Sequence, residues 1–187
     1  LPDASRGHGL SALRTPLLFD VAAATGLRLA LVAVAPPTPA GPSTLLLKLP
    51  AHLWSTYVLP VATGHQTMCF ALSEPEAGSD AQSIRTQAVL DGDEWVINGQ
   101  KIWTSGAHIS DYGILITRTD SEVPKHRGLT MFFLDMKSAG VDIRPIKQAN
   151  GDSGFNEVYF DNVRIPDAQR LGEVGGGWQV SLTTLIN

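Results

Sequence analysis

Two polar stretches, each at the end of a strand-like run, carry the residue types that could do chemistry. The first is Cys69 to Asp80, CFALSEPEAGSD. Its apolar start reads as a buried strand, which Pro75 must stop because proline fixes φ and lacks a donor. Ser73 and Ser79 then offer hydroxyls to whatever cavity the turn lines, and Glu74 and Glu76 are carboxylates in reach of the same place. The second stretch is Asn98 to Ala107, NGQKIWTSGA. Trp103 stands just before two hydroxyls, Thr104 and Ser105. A tryptophan there suits a flat apolar wall for a planar heterocycle, with Ser105, and Ser73 at the other strand end, hydrogen-bonding a ring nitrogen or carbonyl. Each stretch also has a plainer reading: a strand running into a capped turn, and a tryptophan that fills the core.

The elements that must position these residues are mostly strands. From Met68 onward the pattern is β. Ser83 to Leu90 alternates, putting Ile84, Thr86, Ala88 and Leu90 on one face, and Asp91-Gly92 makes a turn. Glu94 to Ile97 and Gln100 to Thr104 read as a hairpin joined at Asn98-Gly99, the strongest short turn signal. Further strands cover Tyr112 to Thr119, Leu129 to Met136, Val141 to Lys147 and Glu157 to Val163. No helices alternate with them, so a doubly wound parallel sheet is unsupported and the spacing predicts an antiparallel sandwich or barrel. Before this lies a helical region. Leu17 to Ala35 reads as a buried helix, with a secretory signal or anchor as the alternative. Residues 36–42 form a proline-rich break, and Ser43 caps a helix over Thr44 to Tyr57 that Pro50 limits or kinks. Trp178 starts a last helix after the glycine-rich segment Leu171 to Gly177. The expected class is α+β: a partial helical region over 1–66, an antiparallel β-barrel or sandwich over 67–172, and the start of a helical domain over 173–187. Both ends read as cut.

Composition narrows the function. The chain has 187 residues, 43% of them hydrophobic, and a net charge of -4 with no basic block. Nucleic-acid binding therefore has no electrostatic footprint. A single cysteine, Cys69, fits a reducing compartment, and a cytoplasmic location is expected. The five histidines are scattered without metal-site spacing, so no metal is expected. No apolar run reaches the length of a membrane span, about 20 residues.

The two stretches in this order, followed by GLTMFFLDM, VYFDNVRIP (Val158 to Pro166) and LGEVGGGW (Leu171 to Trp178), resemble the middle β-domain of the acyl-CoA dehydrogenase family. The resemblance covers Met68 to Asn187, and 41–67 only loosely. It implies a non-covalently bound FAD and α,β-desaturation of an acyl-CoA thioester, as in β-oxidation, with hydride passing to flavin N5. By position in the motif, Phe70, Leu72 and Ser73 resemble residues along one edge of the ring, and Trp103 the tryptophan packed against it. Thr104 and Ser105 stand in the cofactor-binding stretch, Ser105 in the place of a residue near N5. Gly78 and Ser79 resemble the pair along the acyl-CoA channel. Thr104-Ser105-Gly106 departs from the commoner Ile-Thr-Asn. The family's catalytic glutamate belongs to a C-terminal helical domain, so no catalytic residue is assigned within this chain, and Glu74 and Glu76 read as turn residues. The resemblance further implies an electron-transfer flavoprotein as electron acceptor and a homo- or hetero-oligomer when complete. Two alternatives stay open: a non-catalytic or partner-dependent β-domain subunit, and a relative of the acyl-CoA oxidases or flavin monooxygenases.

Overall fold

A computed structural model of the chain describes residues 49–62 and 65–186. The helix expected over 17–35, the break at 36–42 and the Ser43 cap lie outside the described residues.

Helix α1 begins at Ala51, with Pro50 as its N-cap at φ −53°. Proline suits a helix start because the missing N–H has no intrahelical partner there. The chain thus starts its helix after Pro50 instead of kinking through it. The helix is α over Ala51–Leu53, π over Trp54–Val58 and α over Leu59–Ala62. Leu59 donates to the Trp54 carbonyl across the wider turn. Pro60 explains the widening: it has no N–H for the fourth carbonyl back, and its ring crowds that carbonyl. Leu53, Tyr57, Val58 and Val61 are buried, and Tyr57 stacks on Phe133 with centroids 4.4 Å apart.

Eight strands follow: β1 (Met68–Ala71), β2 (Gln87–Asp91), β3 (Glu94–Ser105), β4 (Tyr112–Arg118), β5 (Leu129–Asp135), β6 (Val141–Ile146), β7 (Phe155–Pro166) and β8 (Arg170–Leu171). Helix α2 covers Gly177–Ile186. The strands form one sheet in the order β6-β7-β3-β2-β4-β5-β8, with β1 also on β4. The expected α+β class holds, with two refinements. The sheet is mixed, because β1 and β2 both run parallel to β4; the β2–β3 excursion between β1 and β4 is long enough for a parallel return. It is also an open sheet whose end strands β6 and β8 do not pair with each other.

The core has two layers. Under α1 and α2 lie Met68, Ile84, Ile114, Ile116, Met131 and Phe133. On the other face, Cys69, Ala71, Leu115, Phe132 and Leu134 meet Trp95, Ile97, Val158, Phe160 and Val163. The β4–β5 half of the sheet therefore packs face to face on the β3–β7 half. Being covered on both sides is why β4 and β5 read as almost unbroken apolar runs.

The hairpin expected at Asn98-Gly99 is one turn earlier. Asp91 pairs with Glu94, leaving Gly92-Asp93 as the corner, and β3 runs unbroken through Asn98-Gly99. Tertiary contacts override the local turn signal. The Asn98 side chain accepts the Asn162 N–H at 2.9 Å, and the register against β7 shifts between Ile97 and Gly99. Gly99 has φ 149°, and a Cβ there would sit 2.7 Å from the Thr86 Cα. Gly99→Ala is accordingly expected to cost about 2 kcal/mol or more, read as a lower urea midpoint at unchanged slope. An unchanged midpoint would contradict that close approach. The expected strand from Ser83 also starts later, since Ala81–Ser83 forms a short 3-10 turn. Ile84, Thr86 and Ala88 do point inward, but Leu90 at the hairpin tip is exposed.

Candidate functional site

The site is built on an irregularity of β3. Lys101 pairs with Val158 and Thr104 with Asn156, so two residues of β3 oppose one of β7. That is a β-bulge, a device that re-aims side chains. Trp103 sits in it with φ 60°. A left-handed backbone costs a bulky residue about 1–2 kcal/mol. The result is a tryptophan that is 55% exposed, with the Phe155 ring perpendicular to it, centroids 6.1 Å apart at 87°. The core-filling reading of Trp103 is thereby removed. Ser105, opposite Phe155 in register, is exposed on the same strand end. Gly106 then donates to the Gly154 carbonyl and leads to exposed Ile109.

Thr104 is placed differently from its neighbours. It is buried, and its Oγ1 has no hydrogen-bond partner. The bulge turns its side chain inward, away from the exposed side chains of Trp103 and Ser105. An unpaired buried hydroxyl carries a desolvation penalty. Thr104→Val is expected to stabilise the chain by about 1 kcal/mol, seen as a higher melting temperature. A lower one would mean that the hydroxyl has a partner.

The bulge is held from both sides by polar residues that the sequence reading passed over. Asn156, fully buried, donates from Nδ2 to the Thr104 carbonyl at 2.9 Å, and its Oδ1 lies 3.0 Å from His108 Nδ1. Lys101 is also fully buried. Its Nζ donates to the Leu72 carbonyl at 2.9 Å and to Glu74 Oε1 at 2.8 Å. One backbone bond runs alongside, from Ile102 N–H to the Ser73 carbonyl at 2.9 Å. The signal for Lys101 was the phase of β3: Trp95 and Ile97 point inward, and Lys101 continues that series.

These bonds bring the two stretches together. Ser73 lies at the end of β1 against Ile102, next to Trp103. Phe70 and Leu72 are half-buried and pack on the core layer under α1. Beyond them Glu74 and Ala77 exchange both backbone bonds, leaving Pro75-Glu76 as a tight corner. Gly78 and Ser79 follow in the exposed part of the turn; a Cβ at Gly78 would meet nothing within 4 Å. The structure thus ties the Leu72-Ser73 backbone to the strand end that carries Trp103 and Ser105, with Phe70 earlier on β1 and Gly78 and Ser79 one turn away.

The carboxylates near the junction are engaged. Glu74 Oε2 accepts the Arg85 N–H at 2.6 Å, and Oε1 accepts the Thr86 N–H at 2.9 Å besides Lys101. Burial opposes its charge, but the Lys101 ammonium and these donors outweigh burial and hold it below the usual carboxylate range. Burial pushes Lys101 down to about 8 against the pull of Glu74. Glu76 pairs with Arg85 at the surface. Asp80 is held below its ordinary value by hydrogen bonds from Lys125 and Ser83. Neither glutamate of the turn therefore has the features of a poised general base. Among the described residues no three metal-ligating side chains come together, and no helix is long and apolar enough to cross a membrane.

Comparison with known proteins gives a consistent picture. Residues 69–163 match the family model "Acyl-CoA dehydrogenase, middle domain". Over 131 residues the chain is 46% identical to Acyl-CoA dehydrogenase FadE34 of Mycobacterium tuberculosis, covering 70% of this chain and 18% of that one. Among solved structures, the Tcur3481-Tcur3483 steroid ACAD superposes with a TM-score of 0.70 at 36% identity, covering 74% of this chain and 36% of that one. The ChsE4-ChsE5 complex from Mycobacterium tuberculosis gives 0.74 at 29% identity, covering 94% and 44%. A glutaryl-CoA dehydrogenase from Mycobacterium smegmatis, solved in complex with FADH2, gives 0.65 at 26% identity, covering 76% and 36%. The chain spans less than half the length of each of these relatives.

Proposed function

We propose, from the premise that this chain belongs to the acyl-CoA dehydrogenase family, that it presents the flavin- and thioester-facing surface of an FAD-dependent acyl-CoA dehydrogenase. The observation that carries the reading is Trp103: a large aromatic held in a left-handed backbone and exposed beside the Ser73 strand end and Ser105. Strain of this kind persists where the surroundings over-determine it, and it clusters at ligand sites. The residues fit a flavin. Trp103 offers a flat wall, Ser105 and Ser73 offer hydroxyls, and Phe70 and Leu72 offer an apolar edge. Bound FAD supplies the hydride acceptor, a task that no protein side chain performs. The chain's own residues bind and orient: Trp103 excludes water from one side, and the hydroxyls fix the ring's polar edge. Gly78 and Ser79, open on the turn, would pass the acyl-CoA arm.

The substrate class we assign is an acyl-CoA thioester. A steroid-derived one is the first to test, because the relative at 36% identity is a steroid ACAD. An electron-transfer flavoprotein is the proposed electron acceptor, and assembly into an oligomer is proposed to cover the apolar surface around Trp103, Ile109 and Phe155. A second reading, a partner-dependent β-domain subunit, is favoured by one observation: Glu74, the buried carboxylate at the junction, is engaged by Lys101 and by the Arg85 and Thr86 N–H groups and is not poised as a base. The two readings separate in one visible spectrum. The chain is incubated with FAD, freed of excess, and then given acyl-CoA. Flavin retained and unbleached supports a flavin-facing surface whose base comes from outside these residues, as the second reading requires; flavin retained and bleached would mean that a group within these residues takes the α-proton and would overturn the second reading. Failure to retain flavin in the presence of a co-expressed partner would overturn both.

A further inference from the structure

We propose that the buried Lys101–Glu74 pair is a positioning latch that fixes Trp103 and the Ser73 end of β1 in register with each other. The inference rests on the flavin-surface reading for its purpose, but its geometry stands apart from it.

The latch closes a ring through three segments. Lys101 lies two residues before Trp103 on β3. Its ammonium reaches the Leu72 carbonyl and Glu74 of the β1 end. Glu74 in turn accepts the N–H groups of Arg85 and Thr86, and the Thr86 hydroxyl returns to the Gln100 carbonyl on β3 at 3.2 Å. The Ile102 N–H to Ser73 carbonyl bond lies inside this ring. The bulge leaves β3 locally short of ladder bonds just where Trp103 needs a fixed backbone. A side-chain clamp one step before the bulge replaces the missing ladder.

The choice of a charged pair is what points to positioning. A lysine and a glutamate shielded from water lose most of their hydration, and apolar residues of similar volume are often as stable in their place. What an apolar pair lacks is direction. The ammonium has donors aimed at one carbonyl and one carboxylate oxygen, so it accepts a single register of β1 on β3. The charged and titratable groups facing Lys101 are Glu74, in contact, and Arg118, whose charge opposes it. Arg118 is itself tied to the backbone carbonyls of Ile84 and Lys125, so the loop on that side is pinned by another residue.

The test uses the full 187-residue chain with Lys101→Met and Glu74→Gln combined, since either alone leaves a buried group unpaired. Three readouts are taken: thermal unfolding, Trp103 emission (the difference from the same background carrying Trp103→Phe), and FAD affinity by flavin fluorescence. The expected result is a melting temperature close to the parent's, Trp103 emission that is red-shifted with lower anisotropy, and FAD affinity reduced about tenfold or more. Parent-like Trp103 emission in the folded double variant would overturn the latch. A parent that binds no FAD would count against the flavin reading, while the emission arm would still decide the latch. If the double variant does not fold, the parent is titrated upward from neutral pH, since burial holds Lys101 below the usual lysine range. A change in Trp103 emission with the far-UV spectrum intact supports the latch, and constant emission overturns it.

Discussion

Replacing Trp103 with glycine is expected to leave the chain within about 1 kcal/mol of its parent stability while weakening FAD binding about tenfold or more. The two halves of this expectation have different physical sources. In the folded chain the indole is more than half exposed and touches Phe155 edge-on, so little burial is lost with it. The left-handed backbone at φ 60° costs tryptophan about 1–2 kcal/mol and glycine almost nothing. Strain relief and lost contact therefore nearly cancel. The flavin side has no such offset. Aromatic stacking contributes about 0.5–1.5 kcal/mol beyond area burial, and the covered apolar ring area adds about 25 cal/mol per Å2. Trp103→Phe should fall between parent and glycine in affinity while keeping the strain. Urea unfolding and flavin fluorescence on the three proteins check this. Equal FAD affinity in all three would remove Trp103 from the site, and a stability loss of several kcal/mol in the glycine variant would make it a core residue after all.

How far the sequence could be read depended on whether the deciding contact was local. The buried strands β4 and β5 were legible because both faces are covered and their apolar runs show it. So was the helix that begins in the glycine-rich segment, whereas β1 ends at Ala71, before the stop expected at Pro75. The Asn98-Gly99 turn was misplaced because its signal is a local preference, whereas the outcome was set by Asn162 and Thr86, distant in sequence. The parallel pairing of β1 on β4 was hidden for the same reason: alternation fixes a strand's faces and leaves its neighbours open. At the site, the hydroxyls and the tryptophan stood out by type. The bulge did not, and it decides that Thr104 points in while Trp103 points out. Lys101 was missed because a charged residue in a strand is read as solvent-facing unless the inward phase is counted through it, and Asn156 because the expected strand began one residue later, at Glu157.

Lys101→Met alone is expected to cause a large stability loss, about 3–5 kcal/mol at pH 7, because removing one partner of a buried pair strands the other. The loss should depend on pH with a definite sign. In the parent, Glu74 has its folded-state value below the ordinary one. Such a group stabilises the fold above the unfolded-state value and loses that contribution as pH falls through the folded-state value. Without Lys101, burial, the largest influence on Glu74, is no longer outweighed by an adjacent ammonium. The carboxyl is then pushed upward, and ionising it destabilises the variant as pH rises through the carboxylate range. The gap between parent and variant should thus be small near pH 4 and wide at pH 7, with the variant's own stability peaking on the acid side. Urea unfolding of both proteins at several values between pH 4 and pH 8 measures it. A gap that stays constant across that range would mean that Lys101 acts by filling volume, and Glu74 would then be held by the Arg85 and Thr86 N–H groups alone.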